Sequence, residues 1–235
     1  MTTIADNLQR IHDRISQVCG KAGRPPNSVA LLAVSKTFGA DAVVQAHAAG
    51  QTAFGENYIQ EAVEKIIALA HLRLQWHCIG PIQSNKTRLV AEHFDWVQTV
   101  DRLKIAQRLS EQRPPHLAPL QVCIQVNVDG GATKSGIAPD QALELAQAVA
   151  ALPRLRVRGL MCIPEPAPDF VAACAVFTRA RALFDQLNVA GMGLDTLSMG
   201  MSADLEAAVA SGSTLVRVGS AIFGSRATSS ASPSV

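Results

Sequence analysis

Eight short apolar stretches alternate along the chain with stretches whose apolar residues return at helical spacing, and this alternation constrains the fold more than any other feature. The apolar stretches span residues 29–34, 52–55, 74–79, 95–99, 120–128, 155–161, 193–198 and 214–218. Parallel strands cannot be joined by a tight turn and need a crossover of about a dozen residues or more, which a helix supplies. Eight such units in 235 residues predict an α/β fold, a parallel (β/α)8 TIM barrel. An open doubly wound sheet satisfies the same alternation. It would carry a G-x-G-x-x-G turn after its first strand, where this chain has Ser35-Lys36-Thr37-Phe38-Gly39.

The first helix is legible in Ile4, Leu8, Ile11, Ile15 and Val18, which fall on one face, with Gly20 and Gly23-Arg24-Pro25-Pro26 as its stop. Further helices are predicted over 41–49, after Glu56-Asn57-Tyr58 as far as about residue 70, over 84–93, over 101–112 and over 139–151 with Pro139 at the first position. Two more follow the stripe Phe170, Cys174, Phe177, Phe184 and Leu187 and the segment 203–210. No stretch between these elements is long enough for a linker. A single domain is therefore expected over 1–226, and the Ser/Ala/Pro-rich tail over 227–235 is expected to be disordered.

The run Leu31-Leu32-Ala33-Val34-Ser35-Lys36 reads as a strand buried on both faces that delivers a lysine to the mouth of the core. An ammonium among apolar walls loses hydration, its pKa falls, and the neutral amine that attacks aldehydes becomes available. A strand-end lysine can equally lay its stem over apolar surface and keep its head in water. Lys36 acquires meaning only from its neighbours.

Composition narrows the classes. With 48% hydrophobic and 17% charged residues the chain can bury a large core, and a formal charge of +2 with interspersed signs leaves no basic stripe. Trp76, Trp96 and Tyr58 are too scattered to stack bases, so a nucleic-acid partner is not expected. The five cysteines, Cys19, Cys78, Cys123, Cys162 and Cys174, show no C-x-x-C spacing and an odd total, which favours free thiols in a reducing compartment and no metal site. The start MTTIADNLQR has no apolar leader region and no stretch is long enough to span a membrane, so a cytoplasmic protein is expected.

In a barrel of this kind function sits at the carboxyl ends of the strands. Those ends supply Lys36, Asn57, His77 with the Gly80-Pro81 turn, the loop Lys134-Ser135-Gly136, the segment Ser198-Met199-Gly200-Met201-Ser202, and Arg217 followed by Gly219-Ser220. Ser202 stands where an N-cap is expected, with Asp204 and Glu206 in the first turn behind it, and Gly200 permits close backbone approach. Together with Gly219-Ser220 it would place free N–H groups and two hydroxyls between the last two strands, a common phosphate position in barrels. Ordinary capping and a tight turn account for the same residues. Arg217, flanked by valines, must find acceptors inside the barrel, from a carboxylate or from a ligand.

An amine, a phosphate cradle and an inward arginine suggest a phosphorylated aldehyde. The segments Ala33-Val34-Ser35-Lys36-Thr37, Phe54-Gly55-Glu56-Asn57-Tyr58, Trp76-His77-Cys78-Ile79-Gly80-Pro81-Ile82-Gln83-Ser84-Asn85-Lys86, Lys134-Ser135-Gly136, Leu160-Met161-Cys162-Ile163, the run 197–205 and the run 216–224 resemble the pyridoxal phosphate homeostasis proteins, single-domain relatives of the alanine racemase N-terminal barrel. The resemblance is colinear over about residues 4–226. It implies a (β/α)8 barrel holding pyridoxal 5'-phosphate (PLP) covalently on Lys36 as a Schiff base. By the same resemblance Met201 with Ser202, and Gly219 with Ser220, match the phosphate-binding segments. Arg217 matches an arginine facing the pyridine nitrogen, Asn57 an asparagine lining the pocket, His77 a strand-end histidine packed near the cofactor, and Lys134 a loop lysine associated with cofactor handling. The implied role is to hold PLP and supply or buffer it for apo-enzymes, as a monomer. The alternative is a PLP-dependent amino-acid racemase of low activity. Alanine racemase takes a second base, a tyrosine, from a further domain, and the one tyrosine here, Tyr58, lies elsewhere.

Overall fold

The computed structural model describes residues 2–131 and 134–224. Helix α1 (Ile4–Lys21) begins at a reciprocal cap in which Thr3 Oγ1 accepts from the Asp6 N–H and Asp6 Oδ2 accepts from the Thr3 N–H. Its buried face carries Leu8, Ile11, Ile15 and Cys19. Of the two expected stops, Gly20 lies inside the helix, since one glycine costs it only about 1 kcal/mol, and the helix ends as expected before Gly23-Arg24-Pro25-Pro26, with Ala22 as its cap and Gly23 at a φ of 65°.

Eight strands follow in sequence order around a closed barrel, each parallel to its neighbours and the eighth paired with the first. They are β1 (Ala30–Val34), β2 (Ala53–Glu56), β3 (Gln75–Cys78), β4 (Trp96–Val100), β5 (Leu120–Gln125), β6 (Leu155–Met161), β7 (Thr196–Ser198) and β8 (Leu215–Val218). The helices between and after them are α2 (Ala40–Ala48), α3 (Ile59–Ala68), α4 (Thr87–His93), α5 (Leu103–Gln112), α6 (Ala142–Ala150), α7 (Phe170–Val189), α8 (Leu205–Ala210) and α9 (Ser220–Phe223). The predicted (β/α)8 barrel is the observed fold, and the doubly wound alternative is excluded by closure of β8 onto β1.

Several boundaries move for local reasons. The strand expected over 120–128 ends at Gln125: the Val126 N–H still donates to Met161 O at 2.9 Å, but Val126 is bridged to Ile137 as the following loop folds back on itself. The helices expected over 84–93 and 139–151 each begin as a 3-10 turn, Ser84–Lys86 and Pro139–Gln141, and the helix expected to reach residue 70 gives way to the 3-10 turn Ala70–Leu72. The end of the domain expected at 226 and the tail expected over 227–235 lie outside the described residues.

Alternation along the strands sorts side chains into two cores. Leu31, Ala33, Phe54, Cys78, Val97, Val122, Leu160 and Val216 point outward and pack under the helices. Leu32, Val34, Ile79 and Leu215 form one apolar group inside the barrel, and Trp96, Cys123 and Met161 a second. Each such side chain contributes about 1.5–3 kcal/mol by leaving water. The five cysteines are free, and burial pushes the Cys78, Cys123 and Cys162 thiols up to about 12. Among the described residues no helix is long and apolar enough to cross a membrane.

Candidate functional site

The carboxyl ends of β1, β2 and β6 to β8 surround a cavity of about 540 Å³. Seven of the nine residues singled out in the sequence line it: Lys36, Asn57, Met201, Ser202, Arg217, Gly219 and Ser220. His77 and Lys134 do not.

Lys36 reaches the cavity through strand alternation, which turns Leu32, Val34 and then Lys36 inward. It is half-buried, and its Nζ makes no hydrogen bond or ion pair among the described residues. Across the mouth, Asn57 follows β2. Its Oδ1 is buried and has no donor among the described residues, so one acceptor faces the cavity unsatisfied. The backbone of Asn57 is pressed against Gly80: a Cβ added there would lie 2.2 Å from Asn57 O, so only glycine fits at this contact.

Arg217 is 3% exposed. Its Nη1 donates to Ser198 Oγ at 2.6 Å and its Nη2 to Cys162 O at 2.9 Å. No carboxylate pairs with it among the described residues, so the carboxylate reading is set aside. Burial lowers its pKa, yet a guanidinium stays charged, and the cation stands in the cavity wall without a counter-ion.

Behind Arg217 a chain of hydrogen bonds crosses the barrel interior. Ser198 Oγ, accepting from the arginine, donates to Gln98 Oε1 at 2.6 Å. The Gln98 amide then donates from Nε2 to His77 Nδ1 at 2.9 Å, so the remaining His77 proton sits on Nε2 and is given to Gln75 Oε1 at 3.0 Å. These directions go with the amide orientation of Gln98, Oε1 towards Ser198 and Nε2 towards His77. His77 stacks on Trp96 with ring centroids 4.9 Å apart, and burial pushes its pKa down to about 3. It is thus a neutral residue beneath the cavity and connects to it through Gln98, Ser198 and Arg217.

The segments after β7 and β8 form the third wall. The expectation that Ser202 caps the next helix is corrected: the cap position of α8 is Asp204, whose Oδ1 accepts from the Met201 N–H at 2.6 Å. The carboxylate two residues further on makes the tighter turn and leaves the Ser202 hydroxyl free for the cavity. Gly200, with φ of 94°, is needed for contact with α8 and not with the cavity, since an added Cβ would lie 2.4 Å from Ala208 Cβ. Arg14 of α1 holds this loop by donating to Ser202 O and Glu206. The backbone N–H groups of Ser202, Ala203, Ser220 and Ala221 donate to no acceptor among the described residues. The N–H groups of Ser202, Ala203 and Ser220 and the Ser202 and Ser220 hydroxyls thus belong to one side of the cavity wall, where an anion would be held.

Lys134, in the loop after β5, pairs with Glu165 at 3.3 Å instead of facing the cavity. Sequence reasoning missed Glu56, Lys65, Gln98 and the function of Ser198. Gln98 and Glu56 left a signal, being polar residues within strands otherwise apolar on both faces. Lys65, on α3, left none.

Comparison with known proteins agrees with this geometry. The chain matches the family described as alanine racemase, N-terminal domain, over residues 7–227. It is similar to the pyridoxal phosphate homeostasis protein of Pseudomonas aeruginosa, with 61% identity over 226 residues covering 96% of this chain and 97% of the relative. The protein of that name from Escherichia coli K12 is 53% identical over 229 residues, covering 96% and 98%. Among solved structures, PipY of Synechococcus elongatus with PLP bound superposes with a TM-score of 0.81 at 37% identity, covering 94% of this chain and all of that one. An alanine racemase from Clostridium difficile superposes with a TM-score of 0.72 at 15% identity over 95% of this chain and 58% of that one, a likeness of fold alone.

Proposed function

The chain belongs to the alanine racemase N-terminal domain family and, within it, to the pyridoxal phosphate homeostasis proteins, and on that premise we propose that it holds pyridoxal 5'-phosphate covalently on Lys36 as a Schiff base and supplies or buffers it for apo-enzymes. The observation that carries the reading is an amine without a partner and an arginine without a carboxylate, among the described residues, lining one cavity whose wall also offers N–H groups with no acceptor among them. The residues present fit the group: among the described residues Asn57 Oδ1 has no donor, which a ring hydroxyl would provide, and the 202–203 and 220–221 N–H groups have no acceptor, which a phosphate would provide.

When bound, the cofactor supplies an aldehyde carbon to which the Lys36 amine adds with loss of one water, and hydrolysis reverses the bond. The remaining work belongs to the chain. Ser202, Gly219 and Ser220 would hold the phosphate, and Met201 would cover it from the rim. Arg217 would face the ring nitrogen; since a guanidinium only donates, it favours that nitrogen unprotonated and weakens the ring as an electron sink. Lys134 and His77 are assigned supporting roles, in cofactor handling at the mouth and beneath Arg217 respectively.

The racemase reading needs a second base. Tyr58 is 54% exposed and lies outside the cavity lining, so the described lining offers one amine and no phenol. Binding and release of the ligand accord best with that lining, and we take the protein to act in this way as a cytoplasmic monomer.

The test is an absorbance scan of the full chain with PLP, followed by borohydride reduction and peptide mapping. Reduced label on Lys36, absent from Lys36→Ala, is expected. A Lys36→Ala variant with the same reducible chromophore in the same stoichiometry refutes the attachment. Uptake of solvent deuterium at Cα of single L-amino acids, at rates typical of an enzyme, would favour the racemase.

A further inference from the structure

The turn that carries Lys36 is held from behind by a second lysine. Lys65 of α3 is 6% exposed, and its Nζ lies 3.0 Å from Ser35 O, 2.9 Å from Phe38 O, 2.6 Å from Glu56 Oε1 and 2.9 Å from Glu61 Oε1. Two of these four acceptors are carbonyls at either end of the 35–38 turn. The cluster is cross-braced: Ser35 Oγ donates to Glu56 Oε1 at 2.6 Å, and the Thr37 N–H donates to Glu61 Oε1 at 3.0 Å.

Thr37, next to Lys36, has a φ of 68°, the left-handed region that a β-branched residue adopts only under strain. Such a conformation persists where neighbours over-determine it, and here the neighbours are Lys65 and Glu61. Opposite them, Phe38 packs on Phe223 of α9 with centroids 5.1 Å apart, so the turn is fixed on both sides.

We propose that Lys65 is a positioning residue: its ammonium ties both ends of the 35–38 turn to Glu56 and Glu61, and so presents the Lys36 amine, and not its own, to the ligand in the cavity. The three Nζ donors of Lys65 are shared among four acceptors, whereas Lys36 Nζ has none among the described residues. Two lysines thus lie on either side of one turn, one committed and one available. The proposal rests on the PLP reading above.

The experiment follows imine absorbance after mixing the full chain with PLP, and amide hydrogen exchange at Thr37 and Phe38 in the free protein. The variants are Lys65→Met, Glu61→Ala and, as a control, Arg113→Met. Arg113 is another buried cation on backbone carbonyls, those of Ala91, Phe94 and Ala118, away from the cavity. Capture is expected to slow about tenfold in Lys65→Met and about threefold in Glu61→Ala, with Arg113→Met close to wild type. Exchange at Thr37 and Phe38 is expected to quicken in the two cluster variants alone. Glu61 is half-exposed, so Glu61→Ala decides the matter if Lys65→Met fails to fold. Wild-type capture and exchange in the folded cluster variants, or slowing in Arg113→Met equal to theirs, overturns the proposal. Wild-type protein that forms no imine overturns the PLP reading itself, an outcome that the exchange data distinguish.

Discussion

The acid sensitivity of the fold can be worked out from His77. Its imidazole is 1% exposed, lies flat on Trp96, and has both nitrogens engaged by Gln98 and Gln75, while Arg158 lies over the Trp96 ring. Burial pushes its pKa from the ordinary 6.5 down to about 3. Between those values the unfolded chain binds a proton that the folded chain refuses. Stability from this group is therefore complete above about pH 6.5 and is lost progressively as the pH falls towards 3. The whole shift corresponds to about 5 kcal/mol at 1.36 kcal/mol per pH unit. Roughly 3 kcal/mol of it falls between pH 7 and pH 4. For a chain of this length that is about 6–12 °C in melting temperature. His77→Gln keeps a hydrogen-bonding side chain and removes the titration. Thermal and urea unfolding of both proteins at pH 7 and pH 4 should show the wild type losing about 3 kcal/mol more than the variant, since the carboxylates titrate in both and cancel. Equal losses, to within about 0.5 kcal/mol, would mean that the imidazole is not held neutral and would refute the hydrogen-bond directions assigned through Gln98 and Ser198.

Two further substitutions probe the cavity's supports. Gly80→Ala sets a methyl 2.2 Å from Asn57 O, so urea unfolding should show a loss of about 1–3 kcal/mol together with weaker PLP binding; unchanged values would show that Asn57 is free to move. Gln98→Leu conserves volume but takes the acceptor from the Ser198 O–H, which still accepts from Arg217, and the donor from His77 Nδ1, at about 1–3 kcal/mol each. A wild-type unfolding midpoint for Gln98→Leu would show that the interior chain is dispensable.

The barrel was legible because its evidence is periodic. Eight apolar runs separated by helical spacing leave few topologies, and β6 falls on its expected residues between a turn over 151–154 and the proline-bearing irregular stretch that follows Met161. Lys36 and Arg217 were legible for a different reason, a charge set inside or at the end of an apolar strand. The Ser202 cap was misread because two acceptors, Ser202 and Asp204, stand two residues apart, and only the turn geometry decides which one caps α8. Lys65 was invisible for want of any such contrast: a lysine on an amphipathic helix reads as solvated, and its burial follows from the closeness of α3 to the 35–38 turn. Lys134 was read by likeness, and its partner Glu165 lies in another loop, a pairing that no local pattern encodes.

Strand β1 is apolar towards both cores, so a slip of one residue along its neighbours would bury nearly the same hydrocarbon. Hydrophobicity alone leaves its alignment almost degenerate. Such a slip would instead break the polar cluster behind the turn: Ser35 Oγ would leave Glu56 and the Ser35 carbonyl would leave the Lys65 ammonium, taking partners from a buried carboxylate and a buried cation. Polar groups that hydrocarbon cannot imitate thus set where the first strand stops, and a misthreaded barrel is penalised at that one corner.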